Sequence, residues 1–361
     1  MNCIFIPLGY NMTKFIWKGE NVVSKIQKMI LALTLVLIIL ASSLVLGLTK
    51  QTRRQELATR QAIEESIQES VQAIKEAEQK ELAKFDYPSD IYDKELLKKN
   101  QLQVLATDQF SSVDRVIEKI LTDHHIDTNA VSIVYQDYVT GEAYRLNADQ
   151  YRIAASTIKP IYAILFLDLV DSGVYQLDTE FPYSASYHAD GAGSITNGQP
   201  QASYSLKDLM AEMIIYSDNT ATNMLYSIYN GQVQPILQAV AQRMNLQDLP
   251  ADFYVDNYIT AEALSQALTA ISQEAKYEYL LTLMKEEKER QLFTSYVKQG
   301  MANKFGRIDQ YVHDAGIYYE NDQAQYSLVV MTENLIDADQ VLAELNLRVN
   351  EWHRSQVKSH E

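Results

Sequence analysis

Apolar and polar positions fall into blocks of different rhythm along this chain. Residues 30–48 form an apolar run of 19 positions without a charge, in which Thr34, Ser42 and Ser43 are the polar side chains. That length matches the hydrocarbon core of a bilayer. Ala41-Ser42-Ser43 is small enough for signal cleavage, but the run continues to Leu48. An uncleaved signal anchor is therefore expected, preceded by a short cytoplasmic segment (1–29) for which Met1, Met12 and Met29 are each candidate starts. From Lys50 to Tyr87 there is neither glycine nor proline, and Ile63, Ile67, Val71 and Ile74 recur at helical spacing. This stripe covers too few heptads for a coiled coil, so a solvated helical stalk is expected. Tyr87-Pro88-Ser89-Asp90 ends it, and 90–107 reads as a partly helical linker; stalk and linker together occupy 49–107.

The rhythm changes again at Asp108, where a body spanning 108–361 begins. Val113, Val116, Ile117, Ile120 and Leu121 predict a helix, and 130–135 and 141–146 predict two strands around a turn at 137–141. A solid apolar stretch at 161–167 predicts a buried helix that stops at Ser172-Gly173. A loop-rich stretch runs to Tyr204, and helical patterns dominate 206–291. Strand patterns return at 308–319 and 325–331, separated by Asn321-Asp322, and a last helix is expected over 337–357. Strands at both ends with helices between them predict an α/β lobe built from both termini and an inserted all-helical lobe.

Charge narrows the partners. The chain of 361 residues carries a formal net charge of −16. Residues 1–49 hold four lysines against one glutamate, so the remainder carries −19. An acidic body argues against nucleic acid, whose binding needs a basic footprint. Lysines before the apolar run, against Lys50, Arg53 and Arg54 after it, give a slight positive-inside bias that puts the body outside. Cys3 is the single cysteine, so no disulfide framework exists. His124, His125, His188, His313, His353 and His360 have no metal-ligand spacing, and no glycine-rich phosphate loop is present. Neither metal nor cofactor is expected. His313 and Asp314 share a predicted strand, whose alternation sends them to opposite faces.

The candidate chemistry begins at Ala155-Ser156-Thr157-Ile158-Lys159-Pro160. Ser156 and Lys159 are one helical turn apart. A serine hydroxyl needs a base within hydrogen-bond reach to act as a nucleophile, and a helix N-terminus favours developing negative charge. The same spacing recurs at Ser295/Lys298 and Ser355/Lys358, so the spacing alone selects nothing. Ser217-Asp218-Asn219 lies between two helical stretches, where it could aim a hydroxyl and an amide into a cleft or simply cap a helix. Lys304-Phe305-Gly306 stands just before a strand pattern, where the glycine could mark a bulge.

Taken in order, Ser156/Lys159, Ser217-Asp218-Asn219 and Lys304-x-Gly306 resemble the motif set of the penicillin-recognising serine hydrolases, within them the class A β-lactamase-like branch. The flanks at 170–173, 177–178, 191–195 and 217–223 are similar too. The resemblance implies a two-lobed α+β serine β-lactamase-like fold over 108–361, with an antiparallel sheet built from both ends of the domain and an inserted all-α lobe. It implies Ser156 as nucleophile, Lys159 as base or proton relay, Ser217 as proton donor to the leaving nitrogen, and Asn219 as a positioning group. Lys304 would attract a substrate carboxylate, and Gly306 would admit the ligand to the strand edge. The N–H groups of Ser156 and Arg307 would form the oxyanion hole.

Two departures qualify what the resemblance implies. Phe305 stands where the family carries Thr or Ser, which removes a hydroxyl from the substrate-binding set. The interval 243–260 also holds no glutamate to activate a deacylating water, and its Asp252 and Asp256 are one methylene shorter and expected to be merely solvated. The expectation is a single-pass protein of a bacterial cell membrane, anchored through 30–48 with its catalytic domain outside. It would form a Ser156 acyl-enzyme with D-Ala-D-Ala-type peptidoglycan stem peptides and/or β-lactams, and release β-lactams slowly. Alternatives are a genuine β-lactamase with another water activator, or a catalytically idle cell-wall-binding module.

Overall fold

The structure, a computed structural model, describes Ile30, Leu33, Thr34, 50–286 and 290–358. The expected cytoplasmic segment and, apart from those first three residues, the expected anchor lie outside the described residues. No helix among the described residues is long and apolar enough to cross a membrane. The glycine-free stretch is one helix, α1 (Lys50–Ala83). Its stripe is only partly covered, with Ile63, Ile67 and Ile74 half-buried and Val71 exposed.

A second unit runs from Tyr87 to Glu361. Its elements are α2 (Lys94–Lys99), α3 (Val113–Asp123), β1 (Val131–Asp137), β2 (Ala143–Leu146), β3 (Arg152–Ile153), α4 (Lys159–Asp171), β4 (Glu180–Pro182), α5 (Ser194–Asn197) and β5 (Ser203–Ser205). There follow α6 (Leu206–Ile215), α7 (Asn219–Gln232), α8 (Ile236–Arg243), β6 (Tyr258–Ile259), α9 (Ala261–Gln273) and α10 (Glu278–Lys285). The chain closes through α11 (Phe293–Tyr296), β7 (Met301–Ile308), β8 (Tyr311–Glu320), β9 (Gln323–Glu333) and α12 (Ala338–Lys358).

Five strands make one antiparallel sheet in the order β2-β1-β9-β8-β7. The first strand thus lies beside the last, and β7 is an edge. Alternate side chains of β9 serve two cores: Leu328 and Val330 pack with Leu342, Leu345 and Trp352 of α12, whereas Val329 and Met331 pack with α4, α6 and α9. With both faces covered, the strand reads as a continuous apolar run rather than an alternating one. The α/β lobe from both termini and the inserted helical lobe are as expected.

Two boundaries differ from expectation. The body begins at Tyr87, not Asp108, because the supposed linker is packed onto α12. The Tyr92 hydroxyl donates to Asn350 Oδ1 at 2.6 Å, and the Leu105 N–H donates to Glu351 Oε1 at 2.9 Å. Tyr87, Tyr92 and Leu97 are buried in that core. The strand pattern expected over 308–319 is β8, and a strand that was not expected, β7, precedes it across the turn at Asp309-Gln310. Lys304-Phe305-Gly306 therefore lies inside β7 rather than before a strand. Asn303, Lys304 and Gly306 are poor strand formers, and pairing with β8 overrides their preference.

A buried carboxylate joins the sheet to α12. Asp137 Oδ1 accepts the N–H groups of Val139 (2.8 Å) and Thr140 (2.7 Å). Its Oδ2 accepts the Tyr135 hydroxyl (2.8 Å) and lies 2.8 Å from His353 Nδ1. Burial alone would raise its pKa, but the bonds from His353, Thr140 and Tyr135 hold it down at about 2. A lowered carboxylate pKa contributes stability above the unfolded-chain value and loses it as the pH falls through the folded one. That contribution is about 2 kcal/mol. Urea midpoints of the wild type and Asp137→Asn are expected to converge between pH 6 and pH 2; a constant gap would refute this.

Candidate active site

The Ser156 turn is built from unusual local geometry. Among the described residues β3 pairs only with β6, through Arg152↔Ile259 and Ile153↔Tyr258. The Ala154 N–H then donates to the Asn257 carbonyl at 2.6 Å, and Ala155 takes a left-handed φ of 49°, a conformation that is unfavourable for any residue with a Cβ. Ser156 follows in a tight 3₁₀ turn (Ala155–Ile158) that feeds α4, with Pro160 in its first turn, where the missing N–H costs no hydrogen bond. The next seven residues are all buried, so α4 is apolar all round and holds Lys159 rigidly; that lysine is 3% exposed.

Lys159 Nζ donates to the Ser217 carbonyl (2.7 Å), to Ser217 Oγ (3.1 Å) and to Asn219 Oδ1 (3.0 Å). Ser217 Oγ in turn donates to Ser156 Oγ at 3.0 Å. The two serines and the lysine are thereby linked in one hydrogen-bond chain. Ser217 also has a left-handed φ, 53°, in the turn between α6 and α7. Within this tripeptide the capping and site roles are divided. Asp218 caps α7 by accepting the Ala221 N–H (2.8 Å), and it accepts the N–H groups of Ile195 (2.7 Å) and Thr196 (3.1 Å). Ser217 and Asn219 on either side face Lys159. The Asn219 Nδ2 donates to the Asp190 carbonyl at 2.8 Å, and its N–H to the Ala192 carbonyl at 3.0 Å. The loop around Gly191 and Gly193 is thus fastened directly behind the site.

The third motif arrives on the sheet edge. A Cβ on Gly306 would lie 2.6 Å from the Ser156 nitrogen and 2.9 Å from that of Thr157, so only glycine lets β7 approach the turn this closely. Ile308 and Tyr311 flank a two-residue turn and form a hydrogen-bonded pair. By alternation Gly306 and Lys304 bond to β8, while Phe305 and Arg307 turn their backbone N–H and C=O groups to the free edge. The backbone nitrogen of Ser156 therefore lies against Gly306, one residue from the Arg307 N–H that faces the free edge. The Arg307 side chain lies elsewhere, in a two-pronged pair with Asp339 (2.6 and 2.8 Å). Lys304 is fully buried, with Nζ 4.5 Å from the Phe305 ring centre. The phenyl ring packs on the α12 side of the sheet, so an aromatic face lies near the ammonium where the family has a hydroxyl.

His313 and Asp314 do point to opposite faces. Asp314 accepts from Asn303 Nδ2 (3.0 Å) and the Phe293 N–H (3.1 Å), and burial pushes its pKa up to about 6 against those bonds and the Lys304 charge. His313 lies 2.8 Å from the Ile153 carbonyl, and burial pushes its pKa down to about 4. Asp252 and Asp256 are exposed, and Asp252 Oδ2 accepts the Tyr258 hydroxyl at 3.2 Å. Among the described residues no group of three His, Cys, Asp or Glu side chains is arranged to hold a metal. Sequence reasoning missed Asn257 and His313, which brace the nucleophile turn from positions about 100 and 160 residues away and carry no local signature.

A family model described as the beta-lactamase enzyme family matches residues 112–350. Similar solved structures include a Leu-to-Glu variant of PBP-A as an acyl-enzyme with penicillin G (22% identity, TM-score 0.57, 69% of this chain and 97% of that one). A β-lactamase from Sphaerobacter thermophilus is similar at 22% identity, with TM-score 0.58 over 68% of this chain and 97% of its own. An ancestral class A β-lactamase of Gram-negative bacteria is similar at 19%, with TM-score 0.55 over 66% and 99%. At such identities the likeness is one of fold. No curated protein matches the sequence.

Proposed function

This chain belongs to the β-lactamase enzyme family, and we propose that it works as a serine acyl-enzyme on D-Ala-D-Ala-type peptides and β-lactams. The observation that carries this reading is the chain from Lys159 Nζ through Ser217 Oγ to Ser156 Oγ, with links of 3.1 and 3.0 Å. Lys159 Nζ, which donates three bonds as an ammonium, must first lose a proton. It can then accept from Ser217 Oγ, and as Ser156 Oγ attacks the substrate carbonyl its proton passes through Ser217 to the lysine. The oxyanion meets the N–H groups of Ser156 and Arg307, each worth roughly 10²–10³ in rate. Collapse breaks the C–N bond, Ser217 passes a proton to the leaving nitrogen, and an ester on Ser156 remains. Lys304, buried beside the strand edge, supplies positive potential for the substrate's carboxylate.

Hydrolysis of that ester is the slow step in this reading. The interval 243–260 holds no glutamate, and Asp252 and Asp256 are exposed to solvent. The penicillin G acyl-enzyme of the PBP-A variant supports acylation as the shared chemistry. The uncharged apolar run at 30–48 supports attachment to a bacterial membrane with the catalytic unit outside. Fluorescent penicillin is expected to label the full-length chain once, at Ser156, and a chromogenic cephalosporin to give a burst followed by slow turnover. Absence of label would refute the acyl-enzyme reading and favour a binding module of the same fold. Fast steady turnover would instead favour a β-lactamase with another water activator.

A further inference from the structure

His313 lies on β8 directly opposite Gly306, the residue that touches the Ser156 turn, and is wholly buried. Its two ring nitrogens have fixed partners. The Thr332 N–H, which can only donate, points at Nδ1 at 3.0 Å. The Ile153 carbonyl, which can only accept, lies 2.8 Å from Nε2. The proton therefore sits on Nε2 and the ring is neutral, which fixes one tautomer.

The bond to Ile153 reaches a segment that the large sheet does not otherwise hold by backbone pairing. Among the described residues β3 is paired only with β6. Arg152 is tied to the sheet by its side chain, through Ser132 Oγ (3.0 Å) and Glu333 (2.9 Å). Ile153 has no such side chain, and its carbonyl stands three residues before Ser156. Between them Ala155 is held in a left-handed conformation that relaxes unless both ends are fixed.

We propose that His313 is a positioning residue for acylation, clamping the Ile153 carbonyl so that the Ser156 turn stays seated on the sheet edge. This rests on the reading of Ser156 as the nucleophile. Release of the clamp would move Ser156 Oγ away from Ser217 and the Ser156 N–H away from the opening beside β7. A displacement near 1 Å in such a site costs about 10²-fold in rate.

Two substitutions separate the two bonds of the ring. Glutamine places an N–H where Nε2 was, so His313→Gln keeps the bond to Ile153. Asparagine places an oxygen where Nδ1 was, so His313→Asn keeps only the bond from Thr332. With fluorescent penicillin and the full-length chain, His313→Asn is expected to lower the acylation rate constant about 10²-fold with the non-covalent dissociation constant unchanged. His313→Gln is expected to recover most of that rate. Equal rates for the wild type and His313→Asn overturn the proposal, as does an equal loss in both variants that follows their melting temperatures. The ¹⁵N spectrum of the wild-type ring, assigned by its loss in His313→Gln, is expected to show an Nε2-protonated tautomer. An Nδ1-protonated ring overturns the proposal even if His313→Asn fails to fold. Failure of the wild type to take the label defeats the nucleophile reading instead, so the two failures are distinct.

Discussion

Ser156→Ala is expected to reduce covalent labelling by penicillin by roughly 10⁴-fold or more, leaving the fold intact. Ser295→Ala and Ser355→Ala, at the other two Ser-x-x-Lys sites, are expected to label like the wild type. The contrast follows from surroundings rather than spacing. Ser156 Oγ receives a hydrogen bond from a second serine that is itself bonded to a buried lysine. Ser355 Oγ donates back to the Trp352 carbonyl within α12 and accepts from the Gln356 side-chain amide, and Ser295 belongs to the short α11. Mass spectrometry of the labelled chain checks all three at once. An adduct that persists in Ser156→Ala would place the nucleophile elsewhere.

Gly193→Ala is expected to cost roughly 2–6 kcal/mol of stability and most of the labelling as well. Gly193 has φ 115° and ψ 161°, a region that is essentially closed to residues with a side chain. A Cβ there would also collide with the carboxylate and Cα of Asp218. Asp218 is fully buried and holds three backbone N–H groups, so it cannot step aside without releasing them. Ser217 and Asn219 flank it and would move too. Gly173→Ala is the control: φ is 79° there, but the space beside it is open, so only left-handed strain of roughly 1–2 kcal/mol remains. Urea denaturation of both variants tests the difference, and equal midpoints would show that the collision is relieved.

The fold and the three motifs were legible because each rests on local pattern. The buried run of α4, the alternating cores of the late strands and the polar step at Ser217 all leave marks within a few residues. The body's true start left none. Tyr87, Tyr92 and Leu97 have no regular spacing, and their burial depends on α12, whose contact residues lie some 250 positions later. β7 was invisible because its centre is Asn303-Lys304-Phe305-Gly306, where function has displaced the usual strand formers. The braces on the Ser156 turn were hidden for a further reason. Asn257 acts on Ala154 through its carbonyl, which any residue possesses, and His313 reads as an ordinary strand residue until the tautomer is fixed by two backbone groups.

The neighbourhood of β1 and β9 also sets a timetable for synthesis. Val134 pairs with Val329, so roughly 190 residues must be translated between the two partners. At ribosomal rates of about 5–20 residues per second, that is about 10–40 s. The β1–β2 hairpin is made early but keeps one edge unsatisfied for that whole interval, with Val131, Ile133 and Tyr135 sharing a core with α3 that α12 has yet to complete. The inserted helices can condense while the hairpin waits. Completion of the sheet, and with it the seating of Lys304 and Gly306 beside Ser156, therefore has to wait until β7, β8 and β9 have all been made.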